Sequence, residues 1–349
     1  MSQILTKLPN VNLGSIGKKT GFINSEFNEV LNETDIVVSE KIIELVNAYV
    51  EQPYRHIVLQ STKNKDNFDR AFFVRIGFEL FKPNWTDIKD ALSSVELRYS
   101  NLVVTDDIFD NNDFRLSQKS IKEEYGVNTA ISIALILKSL ASLALNENSN
   151  SKTILTSDES SHISIYEGQL MDISTEKMKI SSLSENFYLD MIRKTTGDDV
   201  GYCFELGGRL AGCDEQQAEN LKNLGVSLGT AMQLRDDLLD YINDVDAINK
   251  KPLRDFTTRK LRLPLFLAYK FSNDFERNRM DELYNSKIHN EEDIDFICNQ
   301  VFKEEVVIYI ENLLNSLKTA SSKHFELIDS ENSKIKSVFY TLINNVIKL

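Results

Sequence analysis

Apolar residues recur at intervals of three and four along most of the chain, and this spacing predicts amphipathic helices. No stretch alternates apolar and polar residues in the way that a half-buried strand does. The helical spacing covers ten segments: 23–50, 68–81, 86–105, 127–145, 160–178, 185–210, 214–244, 263–271, 291–317 and 322–347. The breaks between these segments are short and polar, so we predict an all-α protein with a flexible arm over residues 1–22 and a single domain over residues 23–349.

Composition supports the helical prediction and limits the kinds of partner. The 349 residues include only 13 Gly and 5 Pro, which leaves few residues for tight turns. The formal net charge of -13 argues against nucleic acid or an anionic membrane as the main partner. An acidic protein that binds a polyanion needs cations to reverse its local field, and bound divalent metal ions provide them.

The cysteines and the most apolar run bear on location. The chain has three cysteines, Cys203, Cys213 and Cys298, and their odd number gives no disulfide framework, so we expect a reducing, cytoplasmic setting. Lys138 and several serines interrupt the most apolar run, residues 129–145. That run therefore predicts a buried core helix and no membrane span.

Two acidic clusters share the pattern Asp-Asp-x-x-Asp. They consist of Asp106, Asp107 and Asp110, and of Asp236, Asp237 and Asp240. On a helix, residues i and i+4 project from one face, so the outer two aspartates of each cluster point to one place. Each cluster follows an apolar helical run, where like charges are costly unless cations neutralise them. Mg²⁺ prefers oxygen ligands and combines carboxylates with water and phosphate. The pair of clusters therefore predicts a magnesium site for a diphosphate, whereas either cluster alone could be a solvated acidic surface.

Several basic residues lie at positions from which they could reach the same diphosphate. They are Arg115, Lys194, Lys250 and Lys260. A cationic side chain beside a phosphate lowers the energy of the departing anion. Taken singly, each of these lysines is better explained as a solvated surface residue.

With these residues in place, the sequence resembles the trans-isoprenyl diphosphate synthase family, and its geranylgeranyl diphosphate synthase branch more than its farnesyl branch. The resemblance extends from Pro53 to Tyr269. The matching stretches are residues 53–60 (Pro-Tyr-Arg-His-Ile-Val-Leu-Gln), 106–115, 125–126, 168–172 (Gly-Gln-Leu-Met-Asp), 194–196 (Lys-Thr-Thr) and 233–237, followed by Asn249, Lys250, Asp255, Lys260 and Pro264. Their order and approximate spacing agree with the family throughout.

The resemblance implies an all-helical isoprenoid-synthase fold, usually a homodimer, with a central cavity and three magnesium ions at its mouth, Mn²⁺ being a substitute. By position, Asp106 and Asp110 would bind two ions, and Asp236 with Asp240 would bind the third. Asp107 and Asp237 complete the catalytic motifs. The predicted contacts to the substrate diphosphate are Arg115, Lys194, Gln233, Lys250 and Lys260. The predicted cavity wall consists of Tyr99, Asn101, Leu102, Phe109, Gln169 and Thr195.

The departures from the family concern the second substrate, isopentenyl diphosphate. The Gly-Lys-x-x-Arg segment that should follow Gln60 has no match, Tyr99 stands where the family has histidine, and Leu116 stands where it has a second arginine. A diphosphate site that has lost its basic groups should bind weakly. We therefore expect a terpene synthase, a lyase that ionises farnesyl or geranylgeranyl diphosphate without isopentenyl diphosphate.

Three other functions remain open from the sequence. The first is a chain-elongating prenyltransferase, such as a geranylgeranyl or farnesyl diphosphate synthase, in which Lys63, Lys65 or Arg70 rebuilds the second diphosphate site. The second is a prenyltransferase that acts on an unrelated acceptor. The third is a non-catalytic subunit of a heteromeric synthase, which would have no reason to keep both acidic clusters.

Overall fold

The computed structural model describes residues 25–63, 69–115, 118–148, 151–242, 253–286 and 289–346, and these are almost entirely helical. The predicted all-α class is confirmed. The helices are α1 (Ser25–Tyr49), α2 (Gln52–Lys63), α3 (Asp69–Glu79), α4 (Lys89–Phe109), α5 (Ile121–Tyr125), α6 (Val127–Asn148), α7 (Lys152–Thr175), α8 (Glu185–Ile192), α9 (Asp198–Ala211), α10 (Glu215–Leu239), α11 (Arg254–Thr257), α12 (Leu263–Phe271), α13 (Asp274–Asn285), α14 (Glu291–Val301), α15 (Glu304–Glu326) and α16 (Ser333–Val346). The predicted flexible arm lies outside the described residues, and the single domain stays a prediction.

Some boundaries differ from the predicted segments. The segment predicted at 185–210 is divided by a π-helix at Arg193–Gly197, and a two-stranded hairpin pairs β1 (Phe114–Arg115) with β2 (Gln118–Lys119). Helix α13 was not predicted. It begins after Asn273, whose side chain accepts from the backbone of Glu276 in a capping box, a signal strong enough to start a helix of mixed polarity.

The helices that carry the candidate site surround one continuous apolar core. Helix α4 packs against α3 and α6, and α9 packs against α3, α7 and α10. Two glycines allow the backbones of α3 and α9 to touch. A Cβ on Gly207 would lie 2.1 Å from the carbonyl oxygen of Val74, and one on Gly77 would lie 2.5 Å from that of Phe204. This close approach fixes the middle of α9 against α3.

Helix α6 corrects the prediction of a buried core helix over residues 129–145. Only 39% of its apolar window is buried, because one face packs on α4 while the other faces outward. Among the described helices, α6 is the one with the length and composition to cross a membrane. One such helix is weak evidence for a membrane span, because apolar helices of protein interiors and interfaces pass the same test.

Candidate active site

Both acidic clusters lie at the carboxyl ends of long helices. The first ends α4 and the second ends α10, and neither helix has a basic residue in its last turn. The carboxyl end of a helix carries partial negative charge, so aspartates placed there are destabilising without cations nearby. The cations that neutralise these aspartates therefore come from other elements.

In the first cluster, the hairpin supplies one of these cations. Nη2 of Arg115 lies 2.8 Å from Oδ2 of Asp106 and 2.9 Å from Oδ1 of Asp107. Asp107 is buried and also accepts a hydrogen bond of 3.1 Å from Nδ2 of Asn112, whereas the carboxylate of Asp106 is 39% exposed. The middle aspartate therefore positions the hairpin, and the first one faces the solvent side of the site.

The second cluster has the same division. Asp237 is buried and accepts hydrogen bonds from the hydroxyl of Tyr188 at 2.7 Å and from Nε2 of Gln233 at 2.6 Å. Asp236 is exposed, and Oδ2 of Asp240 accepts a hydrogen bond of 3.1 Å from the backbone N–H of Asp255. The first aspartate of each cluster therefore faces solvent, whereas Asp110 and Asp240 are partly buried.

A buried chain of charges joins the two clusters. Nζ of Lys260 contacts the carboxylate of Asp110 and lies 2.5 Å from Oδ2 of Asp172. Arg262 pairs with the other oxygen of Asp172, and its Nε lies 3.7 Å from Oδ2 of Asp237. The structure thus brings residues of both clusters to one place through Lys260, Asp172 and Arg262.

The backbone that holds Lys260 is strained. Arg259, the residue before it, has φ of 64°, an uncommon conformation for a side chain of this size. The guanidinium of Arg259 is tied down by Nη1, which donates to the carbonyl oxygen of Tyr284 at 3.2 Å and to Oδ1 of Asn285 at 2.9 Å. The backbone N–H of Lys260 can then donate to the carbonyl oxygen of Asp255 at 2.8 Å. This strain is typical of functional loops.

Burial sets the ionisation of the inner carboxylates. Burial raises the pKa of Asp110 to about 6, with a further contribution from Asp106 and opposition from Lys260. Burial likewise raises the pKa of Asp237 to about 7 against the effect of Arg262. For Asp172 burial would also raise the pKa, but Arg262 and Lys260 outweigh it and the pKa is lowered. Additional positive charge would therefore favour the ionised forms of Asp110 and Asp237.

The donor set fits magnesium. The exposed donors of both clusters are carboxylate oxygens, which hard divalent ions prefer. Among the described residues, no three acidic, histidine or cysteine side chains surround a common point. Mg²⁺ commonly uses only one or two carboxylates and completes its shell with water and substrate phosphate, so this arrangement suits ions that bind together with a diphosphate.

The remaining predicted site residues lie on two sides of this network. Lys194 belongs to the π-helix, where its Nζ forms an ion pair of 2.7 Å with Glu167 of α7. Thr195 packs against Gly168, where a Cβ would lie 2.8 Å from the methyl carbon of Thr195. π-helices are rare and occur frequently at functional sites. Lys250 lies outside the described residues.

The predicted cavity residues fall mostly on α4. Asn101 donates to the carbonyl oxygen of Ala134 at 2.8 Å and accepts from the hydroxyl of Tyr166 at 3.0 Å. Leu102 is half-buried, while Phe109 is 45% exposed at the end of the helix. Tyr99 lies under the guanidinium of Arg70, with 3.7 Å from Cζ to the ring centroid. In α7, Nε2 of Gln169 is buried without a hydrogen-bond partner among the described residues.

Sequence reasoning missed the roles of Asp172 and Arg262 in the charge network. Arg262 is two residues after Lys260 and has an extended backbone, with φ of −112° and ψ of 157°. Residues two apart in extended chain face the same side, so the pair Lys260 and Arg262 could have indicated a shared partner. Their common partner, Asp172, lies 88 residues earlier than Lys260, and no local pattern links them.

Comparisons with known proteins place this site in a family. A family model described as polyprenyl synthetase matches residues 47–301. The chain belongs to this family. A short chain isoprenyl diphosphate synthase of Methanocaldococcus jannaschii is 27% identical over 266 residues, which are 74% of this chain and 79% of the relative. A geranylgeranyl pyrophosphate synthase of Geoglobus acetivorans is 25% identical over 311 residues, with coverage of 88% and 95%.

Solved structures of the family share the fold. A polyprenyl synthase from Caulobacter crescentus, complexed with calcium and isoprenyl diphosphate, superposes with a TM-score of 0.85 at 18% identity, covering 98% of this chain and 99% of that one. A geranylgeranyl pyrophosphate synthetase from Pyrococcus horikoshii superposes with a TM-score of 0.81 at 20% identity, covering 93% of this chain and 98% of that one. The predicted isoprenoid-synthase fold is confirmed.

The expectation of a terpene synthase, a lyase, is wrong. The relatives are named as synthases of isoprenyl, geranylgeranyl, geranylfarnesyl and nonaprenyl diphosphates, which supports the alternative of a chain-elongating prenyltransferase. The expectation took the changes after Gln60, at Tyr99 and at Leu116 to mean that the site for isopentenyl diphosphate had been lost. It overlooked that α3 begins at Asp69 and carries Arg70 over the ring of Tyr99, so that a buried guanidinium stands beside the substituted position.

Proposed function

We propose that this enzyme joins an allylic prenyl diphosphate to isopentenyl diphosphate and releases diphosphate. The carbon–oxygen bond of the allylic substrate breaks, and its electron pair leaves with the diphosphate. The double bond of isopentenyl diphosphate then attacks the allylic carbon, and loss of a proton restores a double bond in a product five carbons longer.

The observation that carries this proposal is a pair of arginines near Tyr99. The guanidinium of Arg70 covers the ring, and Arg115 is close enough to affect its ionisation. Arg70 is the largest influence on Tyr99 and favours its phenolate, but burial together with the charges of Asp69 and Asp199 outweighs the two arginines, and the pKa of Tyr99 is raised. Since Arg115 also pairs with Asp106, we assign one diphosphate to the carboxylates and the other to the side of Tyr99.

The allylic diphosphate is assigned to the space above the charge network. Arg115 and Lys260 would contact its oxygens, with Lys194, Gln233 and Lys250 as further contacts. Lys260 exchanges part of its contact with Asp110 and Asp172 for the departing anion, and a buried cation of this kind stabilises charge that develops as the bond breaks. The apolar helices around the site keep water away from the cation that forms.

Magnesium is proposed as the cofactor, with Mn²⁺ as a substitute. Asp106 and Asp110 would hold two ions and Asp236 with Asp240 a third, each completed by water and substrate phosphate. When bound, the ions supply positive charge that stabilises the leaving diphosphate. The raised pKa values of Asp110 and Asp237 support added cations at both clusters.

A homodimer is proposed from the outward face of α6 and α7. Four apolar residues of α6, Val127, Ile131, Leu135 and Leu143, are spaced by four or eight residues and are 40 to 62% exposed. Ile163 and Leu170 of α7 are 61 and 68% exposed. An exposed apolar stripe on α6, with further exposed apolar side chains on α7, is suited to a second copy of the same surface. A cytoplasmic location stays a prediction.

The proposal is tested by incubating the purified protein and Mg²⁺ with dimethylallyl or geranyl diphosphate, with and without isopentenyl diphosphate. We expect a longer prenyl diphosphate that forms only when isopentenyl diphosphate is present. A product that forms equally well without it would contradict the proposal.

A further inference from the structure

Both oxygens of Asp110, the last aspartate of the first cluster, face a cation. Oδ1 contacts Nζ of Lys260, and Oδ2 accepts a hydrogen bond of 3.2 Å from Nη2 of Arg254. Asp110 is also one of the carboxylates to which we assign magnesium. Like charges that approach one oxygen at such short distances repel each other strongly. A metal ion at Asp110 therefore competes with these two cations.

Of the two cations, Arg254 is the one that can leave. The side chain of Lys260 is 3% exposed and also lies against Asp172, whereas that of Arg254 is 38% exposed. Among the residues that the structure describes, Asp110 is the one ion-pair partner of Arg254. Solvent can hydrate the guanidinium when it leaves Asp110, whereas a displaced Lys260 would stay buried.

The backbone on both sides of Arg254 is attached to the second cluster. The N–H of Leu253 donates to the carbonyl oxygen of Asp240 at 3.4 Å, and the N–H of Asp255 donates to Oδ2 of Asp240 at 3.1 Å. Oδ2 of Asp255 in turn accepts from Nε of Arg262 at 2.8 Å. Leu253 is buried with φ of 55°, a conformation that persists only where the surroundings hold it. Arg254 thus begins at one cluster and reaches the other, and its side chain can move without its backbone.

A diphosphate bound between the clusters offers the displaced guanidinium a new partner. Arg115 and Lys260, which we assign to the allylic diphosphate, both contact carboxylates of the first cluster, as Arg254 does. Arg254 and Lys260 moreover contact the two oxygens of one carboxylate, so a ligand that reaches one of these cations is close to the other. A guanidinium suits this ligand, because its parallel N–H groups match phosphate oxygens and its charge is permanent.

We propose that Arg254 is a further diphosphate-binding residue, and that it couples the binding of metal ions to the binding of the diphosphate. Without the diphosphate, Arg254 competes with metal ions for Oδ2 of Asp110. A bound diphosphate attracts the guanidinium and frees that oxygen. This inference rests on the proposed function and adds a residue to its diphosphate site. Such coupling is reciprocal, so diphosphate and metal ions raise each other's affinity by the same factor.

The test measures two affinities by methods that need no turnover. Binding of Mn²⁺ to the protein alone is followed by the electron paramagnetic resonance of the free ion. Binding of geranyl thiolodiphosphate, an unreactive analogue of an allylic substrate, is measured by calorimetry with Mg²⁺ in excess. A wild-type protein that does not bind the analogue would refute the proposed function, and the inference with it.

The variant Arg254→Met removes the charge and keeps a long side chain. We expect Mn²⁺ alone to bind this variant about fivefold more tightly than wild type, because Asp110 loses a competing cation. The analogue should bind about tenfold more weakly, because one charge-assisted contact to its diphosphate is lost. A general loosening of the site would weaken both. An affinity for Mn²⁺ that is unchanged or weaker, or an affinity for the analogue equal to that of wild type, would overturn the inference and leave the proposed function intact.

Two further variants serve as controls. Arg254→Lys keeps a positive charge, so both affinities should lie closer to those of wild type than to those of Arg254→Met. Arg279 of α13 matches Arg254 in its exposure of 38% and lies 3.7 Å from Asp293 of α14, and neither helix carries a cluster. Arg279→Met should bind Mn²⁺ and the analogue as wild type does. Shifts in Arg279→Met equal to those in Arg254→Met would overturn the inference, because loss of an arginine remote from the clusters would then have the same effect.

Discussion

His162 should make the protein acid-sensitive, and replacing it with phenylalanine should remove that sensitivity. The ring is 3% exposed, faces Arg98, Lys138 and Asp199, and has its Nδ1 3.9 Å from Oδ2 of Asp158. Burial is the largest cause that lowers its pKa from 6.5 to about 3, and the cations add to it. Phenylalanine keeps a ring against Tyr166, which His162 faces at 6.5 Å between centroids.

The sign and size follow from proton linkage. Between pH 6.5 and pH 3 the unfolded chain binds a proton at His162 and the folded protein does not, so stability falls as the pH falls through this range. A pH of 4.5 is two units below the pKa of histidine in the unfolded chain. At this pH the unequal proton binding at His162 therefore lowers the free energy of unfolding by about 3 kcal/mol. Groups distant from His162 titrate alike in wild type and variant, so their effects cancel in the difference between the two proteins.

The measurement is urea unfolding followed by far-ultraviolet circular dichroism at pH 7 and pH 4.5. The stability of His162→Phe relative to wild type should rise by about 3 kcal/mol between the two pH values. The exposed His56 provides the control. The stability of His56→Phe relative to wild type should be the same at pH 7 and at pH 4.5. A stability difference between His162→Phe and wild type that does not change with pH would refute the reasoning.

Three further changes test the site and the assembly. Asp106→Ala and Asp236→Ala should each slow diphosphate release about 100-fold or more with an unchanged circular dichroism spectrum, because both carboxylates face outward. Lys260→Met should lower the melting temperature and lower kcat about 100-fold, because Asp110 and Asp172 lose their shared buried cation. Calorimetry measures the melting temperature and steady-state assays measure kcat. A wild-type melting temperature together with a wild-type kcat would contradict the role of this charge network. Leu135→Asp should convert a dimer to a monomer in light scattering, whereas Phe275→Asp, on a surface remote from α6, should not.

The sequence was informative where a local pattern carries the chemistry. The spacing of each aspartate cluster follows directly from the helical repeat, and apolar periodicity located α4 and α10, which carry the clusters. Short helices such as α5 and α11 contain too few residues for a periodic pattern, and they escaped prediction for that reason.

The sequence was uninformative where partners are distant along the chain. Lys260 and Asp172 are 88 residues apart, and Arg70 and Asp199 are 129 apart, so only the packing of helices brings them together. The mistaken expectation of a terpene synthase has the same origin. That expectation rested on comparing single positions with the family pattern. Such a comparison cannot show that Arg70 lies over Tyr99, because this placement depends on how α3 and α4 pack.

The most direct test of chain elongation is mass spectrometry of the prenyl diphosphates formed from geranyl diphosphate and isotopically labelled isopentenyl diphosphate with Mg²⁺. The account predicts a product longer than geranyl diphosphate that carries the label, together with released diphosphate. Release of diphosphate with no label in any prenyl product would contradict it.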